Sequence, residues 1–312
     1  MSFVFFGTNR FSAAVMEKLI SAGFVPDALV TAPDAPAGRK KILTPSPAKL
    51  IARQHGIPVL QPESLKKDPD IADEISSHRP EFGVVAAYAK LIPQSMLDLF
   101  PRQVLNVHPS LLPLWRGASP IENAIMHGDA QTGVTIILLD RDMDHGPILA
   151  QEQTPIGPDE YFESLYGRLA MQGADLLIRT IPQWLQNKIS PVAQHHDRAT
   201  FSTKLSWVDG KIRHDMTIRD AYNRVRALSQ EPGTWIDIAL EAKPSVLKIL
   251  RAKPLLQTAD AGARLTDGIS ELNKKPCFAC KDGYLELEIV QPQSGKAMPG
   301  VAFLNGYRAK LG

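Results

Sequence analysis

The sequence predicts an α/β protein: an open, mostly parallel sheet over the first half of the chain, then a smaller β-barrel. Three observations predict it. From residue 2 to residue 107, short apolar runs alternate with amphipathic stretches of helical period, the rhythm of parallel strands joined by crossover helices. Residues 188–203 are polar and turn-rich and break that rhythm. Past them, short β-prone runs are separated by Gly and Pro, as in a small barrel. At ~150 residues per domain, a chain of 312 also makes about two domains. The boundaries that follow are 1–187, a linker at 188–203, and 204–312.

Each element has its own signal. Residues 2–6 are an apolar run stopped at Gly7, as a buried parallel strand would be. Ser12 opens a helix with Val15, Met16 and Leu19 on one side, ended at Gly23. Strands follow at 26–31, 57–60, 82–87 and 104–107, with helices at 46–54, 70–77 and 95–100 between them. Runs 133–139 and 148–154 flank a tight turn and read as a hairpin added to the sheet. Residues 160–186 form a long amphipathic helix, which Pro182 should kink or interrupt. After the linker come a helix at 217–227 and strands at 233–239, 245–252, 276–280, 284–290 and in the tail near Phe303.

Composition excludes several classes. Hydrophobic residues make up 44% and charged residues 22%, which suits a packed core and not a disordered chain. Lys+Arg 35 against Asp+Glu 33 gives +2, too balanced for a wholly basic nucleic-acid binder. The charge is uneven, however: residues 1–202 carry 18 basic and 21 acidic side chains (−3), and residues 203–312 carry 17 and 12 (+5). A basic second half hints at an anionic macromolecular partner, or at ordinary surface drift. No apolar run reaches the ~18 residues of a membrane span, and the start lacks the cationic region of a signal peptide. Two cysteines, Cys277 and Cys280, make no disulfide scaffold and fit a reducing cytoplasm.

One stretch concentrates chemistry. Gly7-Thr8-Asn9 has one glycine where a dinucleotide fingerprint wants three, so a nicotinamide enzyme is disfavoured. No Walker pattern or paired metal-ligand spacing occurs, so no metal is expected. Asn106-Val107-His108 ends a predicted parallel strand, where open α/β sheets place their ligands. Two residues apart, Asn106 and His108 face the same side. Pro109-Ser110-Leu111-Leu112-Pro113 follows as a rigid turn that leaves backbone N–H groups for a ligand. Asp144, on the hairpin tip Met143-Asp144-His145-Gly146, could reach back to His108. An amide, an imidazole and a carboxylate suit acyl transfer, in which negative charge develops on an oxygen. A strand-end histidine beside a proline-rich turn also occurs as a purely structural residue.

These pieces, with Arg116-Gly117 and Gly133-Val134-Thr135, resemble the folate-dependent formyltransferases, and in particular methionyl-tRNA formyltransferases. The stretch Ala32-Pro33-Asp34-Ala35-Pro36-Ala37-Gly38-Arg39-Lys40-Lys41 resembles that family's tRNA-contacting insertion, and Val84-Val85-Ala86-Ala87-Tyr88 its folate-side strand and loop. Asn223-Arg224-Val225-Arg226-Ala227 and Phe303-Leu304-Asn305-Gly306-Tyr307-Arg308 resemble its C-terminal domain. Three departures stand out: Asn9 where Pro is expected, Ser229-Gln230-Glu231-Pro232-Gly233 in place of an aromatic Trp-Pro-Gly stretch, and His145 where Thr or Ala is commoner.

The resemblance implies a Rossmann-like formyltransferase fold with an OB-like C-terminal barrel. It implies 10-formyltetrahydrofolate as donor and initiator methionyl-tRNA as acceptor, with a monomeric cytoplasmic enzyme that touches no membrane. Asn106, His108 and Asp144 would be catalytic; Ser110, Leu111, Leu112 and Pro113 would line the folate pocket, faced by Tyr88, Ala89, Lys90 and Leu91; Arg39, Lys40 and Lys41 would meet tRNA. The alternative is a folate-dependent transferase acting on a small amine such as a nucleotide-linked amino sugar. The cationic insertion argues against that, since a small substrate has no use for it.

Overall fold

The computed structural model describes residues 1–38, 41–68, 70–88, 90–255, 263–266 and 268–311. They form two compact units: Met1–Pro120, Gln131–Pro155 and Glu163–Ser202 make the first, and Ile121–Ala130, Ile156–Phe162 and Thr203–Gly312 the second.

In the first unit the chain runs β1 (Phe3–Gly7), α1 (Arg10–Ser21), β2 (Ala28–Val30), a small hairpin of β3 (Ala35–Ala37) and β4 (Ile42–Thr44), α2 (Pro47–Gln54), β5 (Val59–Leu60), α3 (Ile71–Ser77), β6 (Phe82–Ala86), α4 (Gln94–Leu97), β7 (Val104–His108) and β8 (Arg116–Gly117). Past α5 (Pro120–Met126), which belongs almost wholly to the second unit, the first unit continues with β9 (Gln131–Leu138), β10 (Ile148–Pro155), α6 (Phe162–Leu185) and β11 (Phe201–Ser202). The main sheet has the order β10-β9-β7-β6-β1-β2-β5. Strands β5, β2, β1, β6 and β7 are parallel, and β9 and β10 are antiparallel additions beyond β7. The strand order therefore reverses between β1 and β6, the place where such sheets open a ligand crevice beyond their C-terminal ends.

The sheet is held by apolar strands buried on both faces: every residue of β1, β6 and β7 is buried, and Phe3 stacks on Phe82 at 5.1 Å. Helix α6 lies directly on the strand that carries Asn106 and His108. A Cβ on its Gly173 would stand 2.7 Å from Val107 Cγ1 and 3.1 Å from Val134 Cγ1, so a larger residue would push the helix off β7 and β9. Pro182 does not stop the helix, which runs on to Leu185.

Helix α1 starts at Arg10 and not at Ser12, because Asn9 caps it: the Asn9 side chain accepts from the Phe11 and Ser12 amides at 3.0 and 3.2 Å. Ser12 instead donates its hydroxyl to the Ala86 carbonyl at 2.5 Å, tying α1 to β6. Residues 192–202 pack on the same unit. Val192 and Ile148 exchange backbone hydrogen bonds at 2.8 and 2.9 Å, and β11 pairs with β8 in parallel.

The second unit contains α7 (Ile218–Leu228), β12 (Thr234–Leu240), β13 (Lys243–Leu255), β14 (Ala263–Thr266), β15 (Ile269–Leu272), β16 (Lys275–Cys280), β17 (Gly283–Pro292), β18 (Met298–Pro299) and α8 (Gly300–Tyr307). Its sheet is an antiparallel half-barrel of order β12-β13-β17-β16-β15-β14, with β18 on β17, consistent with an OB-like domain. Phe303, Leu285, Leu287, Ile249 and Val225 are among its fully buried core. The tail near Phe303 is a helix, not the predicted strand. Phe303 and Tyr307, four apart, stack at 4.9 Å on one helical face, and at Gly300 a Cβ would stand 1.8 Å from the Leu287 carbonyl oxygen. Arg226 Nη1 donates to the Gly157 and Glu160 carbonyls at 3.2 and 3.0 Å, fastening the 156–162 segment to α7. Burial pushes the thiols of Cys277 and Cys280 up to about 11 and about 12, so neither has thiolate character at neutral pH.

Burial also pushes the Glu122 carboxyl of α5 up to about 7. A raised carboxyl pKa favours the protonated folded form, so its contribution to stability is lost as pH rises from the ordinary value through 7. Glu122→Gln should therefore stabilise the protein by on the order of 2 kcal/mol at pH 7.5 and by much less at pH 5. Urea unfolding at the two pH values measures this, and equal gains at both would show that the carboxyl does not titrate in this window.

Candidate active site

Strand β7 presents Asn106 and His108 on one face, 7% and 4% exposed, locked between β6 and β9. Asp144 comes from the loop joining β9 to β10, with φ +50, a left-handed conformation that Asp tolerates better than most residues. Its Oδ2 accepts the Gly117 N–H at 2.8 Å. Its Oδ1 lies 3.3 Å from Asn106 Nδ2 and 3.5 Å from His108 Nδ1. On the other side of the ring, His108 Nε2 is 3.0 Å from the Trp115 carbonyl. The carbonyl can only accept, so Nε2 carries a hydrogen there. The three side chains thus converge, and Asn106 and His108 aim nitrogens at one oxygen position.

The surrounding backbone makes this possible. At Gly117, φ +112, a Cβ would stand 2.2 Å from the Ser202 carbonyl oxygen, so β8 approaches β11 only as glycine. A Cβ at Gly146 would stand 1.8 Å from the Leu138 carbonyl, which lets the Asp144 loop fold down over the end of β9. In the 109–114 turn, the Ser110 hydroxyl donates to Leu114 O at 2.6 Å, and Thr135 Oγ1 accepts the Leu112 N–H at 3.1 Å while donating to Ser110 O at 2.6 Å. The Ser110 N–H goes to His108 O at 3.0 Å. Two amides that the sequence leaves open to a ligand are therefore committed within the loop, which is stiffened by hydrogen bonding as well as by proline. Thr135, Trp115 and Gln151, which donates to the Leu112 carbonyl at 2.9 Å, are site-building residues to which sequence reasoning gave no role. The Gly133-Val134-Thr135 signature was the available signal for the first of them.

Tyr88 follows β6 edge-on to Phe6 at 5.8 Å. Lys90 turns its ammonium to the Pro62 and Glu63 carbonyls at 2.7 and 2.8 Å, and Leu91 is 76% exposed. Ala89, Arg39 and Lys40 lie outside the described residues. Lys41 is exposed at the start of β4. The base of that hairpin is clamped: buried Lys49 Nζ donates to both Asp34 oxygens at 2.7 and 2.8 Å and to Gln61 Oε1 at 2.5 Å, which holds the Asp34 carboxyl below its ordinary range. Among the described residues no group of three His, Cys, Asp or Glu could hold a metal ion.

The sequence matches the formyl transferase family over residues 1–181 and the formyl transferase C-terminal domain over 204–308. The chain belongs to the formyltransferase family. It is 38% identical over 311 residues to the methionyl-tRNA formyltransferase of Chloroflexus aurantiacus, covering 99% of this chain and 98% of that one. It is 39% identical over 315 residues to that of Dictyoglomus turgidum, covering 100% and 98%. Among solved structures, the fold resembles an N-formyltransferase from Helicobacter canadensis bound to folinic acid and dTDP-3-aminofucose (TM-score 0.67, 17% identity, 91% of this chain and 98% of that one). It also resembles HypX from Aquifex aeolicus bound to tetrahydrofolic acid (TM-score 0.65, 13% identity, 98% of this chain and 47% of that one).

The Thr8 and Tyr88 hydroxyls, just past strand ends that pair Gly7 with Ala86, are buried with no hydrogen-bond partner among the described residues. A polar ligand that reached them would satisfy groups that are costly to leave unpaired. Burial pushes the Tyr88 phenol up to about 12, so it is a neutral donor at working pH. Tyr88→Phe should stabilise the empty protein by about 1 kcal/mol while raising KM for the formyl donor. Thermal unfolding read beside steady-state kinetics tests both halves, and an unchanged KM would show that the hydroxyl serves no ligand.

Proposed function

We propose that this formyltransferase moves the formyl group of 10-formyltetrahydrofolate to the α-amine of methionine on initiator tRNA, giving N-formylmethionyl-tRNA. The observation that carries the reading is the cluster in which Asn106 Nδ2 and His108 Nδ1 both approach Asp144 Oδ1, at 3.3 and 3.5 Å. Kinship to methionyl-tRNA formyltransferases along nearly the whole chain names the acceptor.

The free amine attacks the formyl carbon, and a C–N bond forms as the carbonyl electron pair moves onto oxygen. Asn106 and His108, the latter as an imidazolium stabilised by Asp144, donate to that oxygen. The Nε2–H of His108 stays on the Trp115 carbonyl, which fixes the ring so that Nδ1 faces the reacting group. Asp144, held through Oδ2 by the Gly117 amide, takes the proton released by the attacking nitrogen and passes it, through water, to N10. The oxygen's electron pair then returns, the bond from the formyl carbon to the protonated N10 breaks with its electron pair going to N10, and tetrahydrofolate leaves as a neutral secondary amine.

On this reading Ser110, Leu111, Leu112 and Pro113 form one wall of the folate pocket, with Tyr88, Ala89, Lys90 and Leu91 opposite. Arg39, Lys40 and Lys41 contact tRNA phosphates, and the +5 second half adds sequence-tolerant attraction. No described helix is long and apolar enough to cross a membrane, and the enzyme works as a monomer in the cytoplasm. An assay offering charged initiator tRNA and amino-sugar nucleotides side by side tests the acceptor. Formylation of the sugar alone would move the protein to the alternative class.

Asn106→Ala should lower kcat by about 10²–10³ and leave the fold intact, as read by single-turnover formylation and circular dichroism. Removing the charges of Arg39 and Lys40 together should weaken formylation of methionyl-tRNA, most at low salt and less as salt rises, with folate affinity unchanged. Equal loss of folate affinity would make the loop a structural element instead.

A further inference from the structure

Asp144 stands at the tip of a loop in a conformation with φ +50, and such conformations persist only where the surroundings over-determine them. The Gly117 amide fixes one carboxylate oxygen but does not fix the loop backbone. That contact comes from residue 194, in the stretch that the sequence presents as a linker.

Gln194 is 5% exposed. Its Nε2 donates to the carbonyls of Asp144 and Gly146, both at 2.8 Å. Its Oε1 accepts from Arg116 Nε at 3.1 Å and Nη2 at 2.6 Å. The partners fix the orientation of the amide, since a guanidinium only donates and the two carbonyls only accept. Arg116 is itself 4% exposed, and its Nη2 also donates to His196 Nδ1 at 2.8 Å. His196 stacks on His145 of the same loop at 4.0 Å, and His145 Nδ1 is 2.7 Å from Asp140 Oδ2. Thus the two residues of β8 grip Asp144 twice: Gly117 holds the carboxylate directly, and Arg116 holds the main chain through Gln194.

We propose that Gln194 is a positioning residue that holds the Asp144 carboxylate against Asn106 and His108 by bracketing the loop at the Asp144 and Gly146 carbonyls. The proposal rests on the reading of Asp144 given above. Without the bracket the Asp144 and Gly146 carbonyls lose the donor they share, and the main chain that carries the carboxylate is free to shift. Displacement of a reacting group by about 1 Å costs on the order of 10²-fold in rate.

The test uses the full chain, 10-formyltetrahydrofolate and methionyl-tRNA, with Gln194→Ala, Gln194→Glu, Asp144→Asn and the Gln194→Ala/Asp144→Asn double variant. Gln194→Glu keeps an oxygen for Arg116 and loses both donations to the loop, so it isolates the bracket even where the alanine variant folds poorly. Each Gln194 variant should lose about 10- to 100-fold in kcat, with KM for both substrates within about twofold of wild type. In the Asp144→Asn background, Gln194→Ala should cost less than about threefold, because the group it positions is already disabled. Wild-type kcat in Gln194→Glu, or the same loss from Gln194→Ala in both backgrounds, would overturn the proposal. An Asp144→Asn enzyme with undiminished kcat would overturn the assignment of Asp144, and the positioning role with it. Additivity over an impaired Asp144→Asn enzyme overturns the role of Gln194 alone.

Discussion

A carboxylate that starts on a loop tip has to be carried inward and kept there, largely out of water, and the rest of the site is arranged around that requirement. Burying a charge is costly unless hydrogen-bond donors replace its hydration. The Asp144 side chain, 12% exposed, has two, a backbone amide at 2.8 Å and an amide side chain at 3.3 Å, with the His108 ring nitrogen at 3.5 Å. Its partners come from a strand of the main sheet and a two-residue strand, which only the folded sheet brings to the hairpin tip. The parallel core therefore supplies rigidity to Asn106 and His108, while the antiparallel addition of β9 and β10 supplies the reach.

Beside the β1–β6 reversal the Thr8 and Tyr88 hydroxyls are buried without a partner among the described residues, and the neighbouring β7 ends in the charged cluster. On the proposed reading these two strand ends serve binding and chemistry respectively. Helix α6 secures the second of these, because Gly173 lets it lie against Val107, the residue between Asn106 and His108.

Much of this was legible in the sequence because it is local. The Asn-x-His spacing fixes two side chains on one strand face, and the apolar runs mark the strands that flank it. The hairpin and the helix around Leu165–Leu177 follow from periodicity as well. What escaped was set by contacts between distant residues. Asn9 caps α1, while Ser12, the apparent cap, is drawn away by a carbonyl of β6. Phe303 reads as a strand residue until a glycine at 300 allows a helix to start against β17. Helix α5 lay hidden among the motif residues. Gln194 lies 50 residues from Asp144, in a stretch whose polarity resembles that of a free linker. Its polarity is instead that of a side chain satisfying buried carbonyls.

On the proposed reaction, the long contacts to Asp144 Oδ1 bear on how such a site can favour a transition state. At 3.3 and 3.5 Å, the Asn106 and His108 donors are near their carboxylate but not tightly bonded to it. A formyl oxygen in the ground state is neutral and draws weakly on donors that already face an anion. Once the amine attacks, the oxygen carries charge of its own and competes on equal terms, with the donors placed and desolvated in advance. The interaction then strengthens as the reaction proceeds, which is the condition for lowering a barrier and not merely tightening binding. A shorter, fully formed pair of bonds to Oδ1 would hold the donors against the incoming charge. Absence of the carboxylate would leave the imidazole unaided as charge develops, so the loose grip on Oδ1 and the firm one on Oδ2 are two halves of a single requirement.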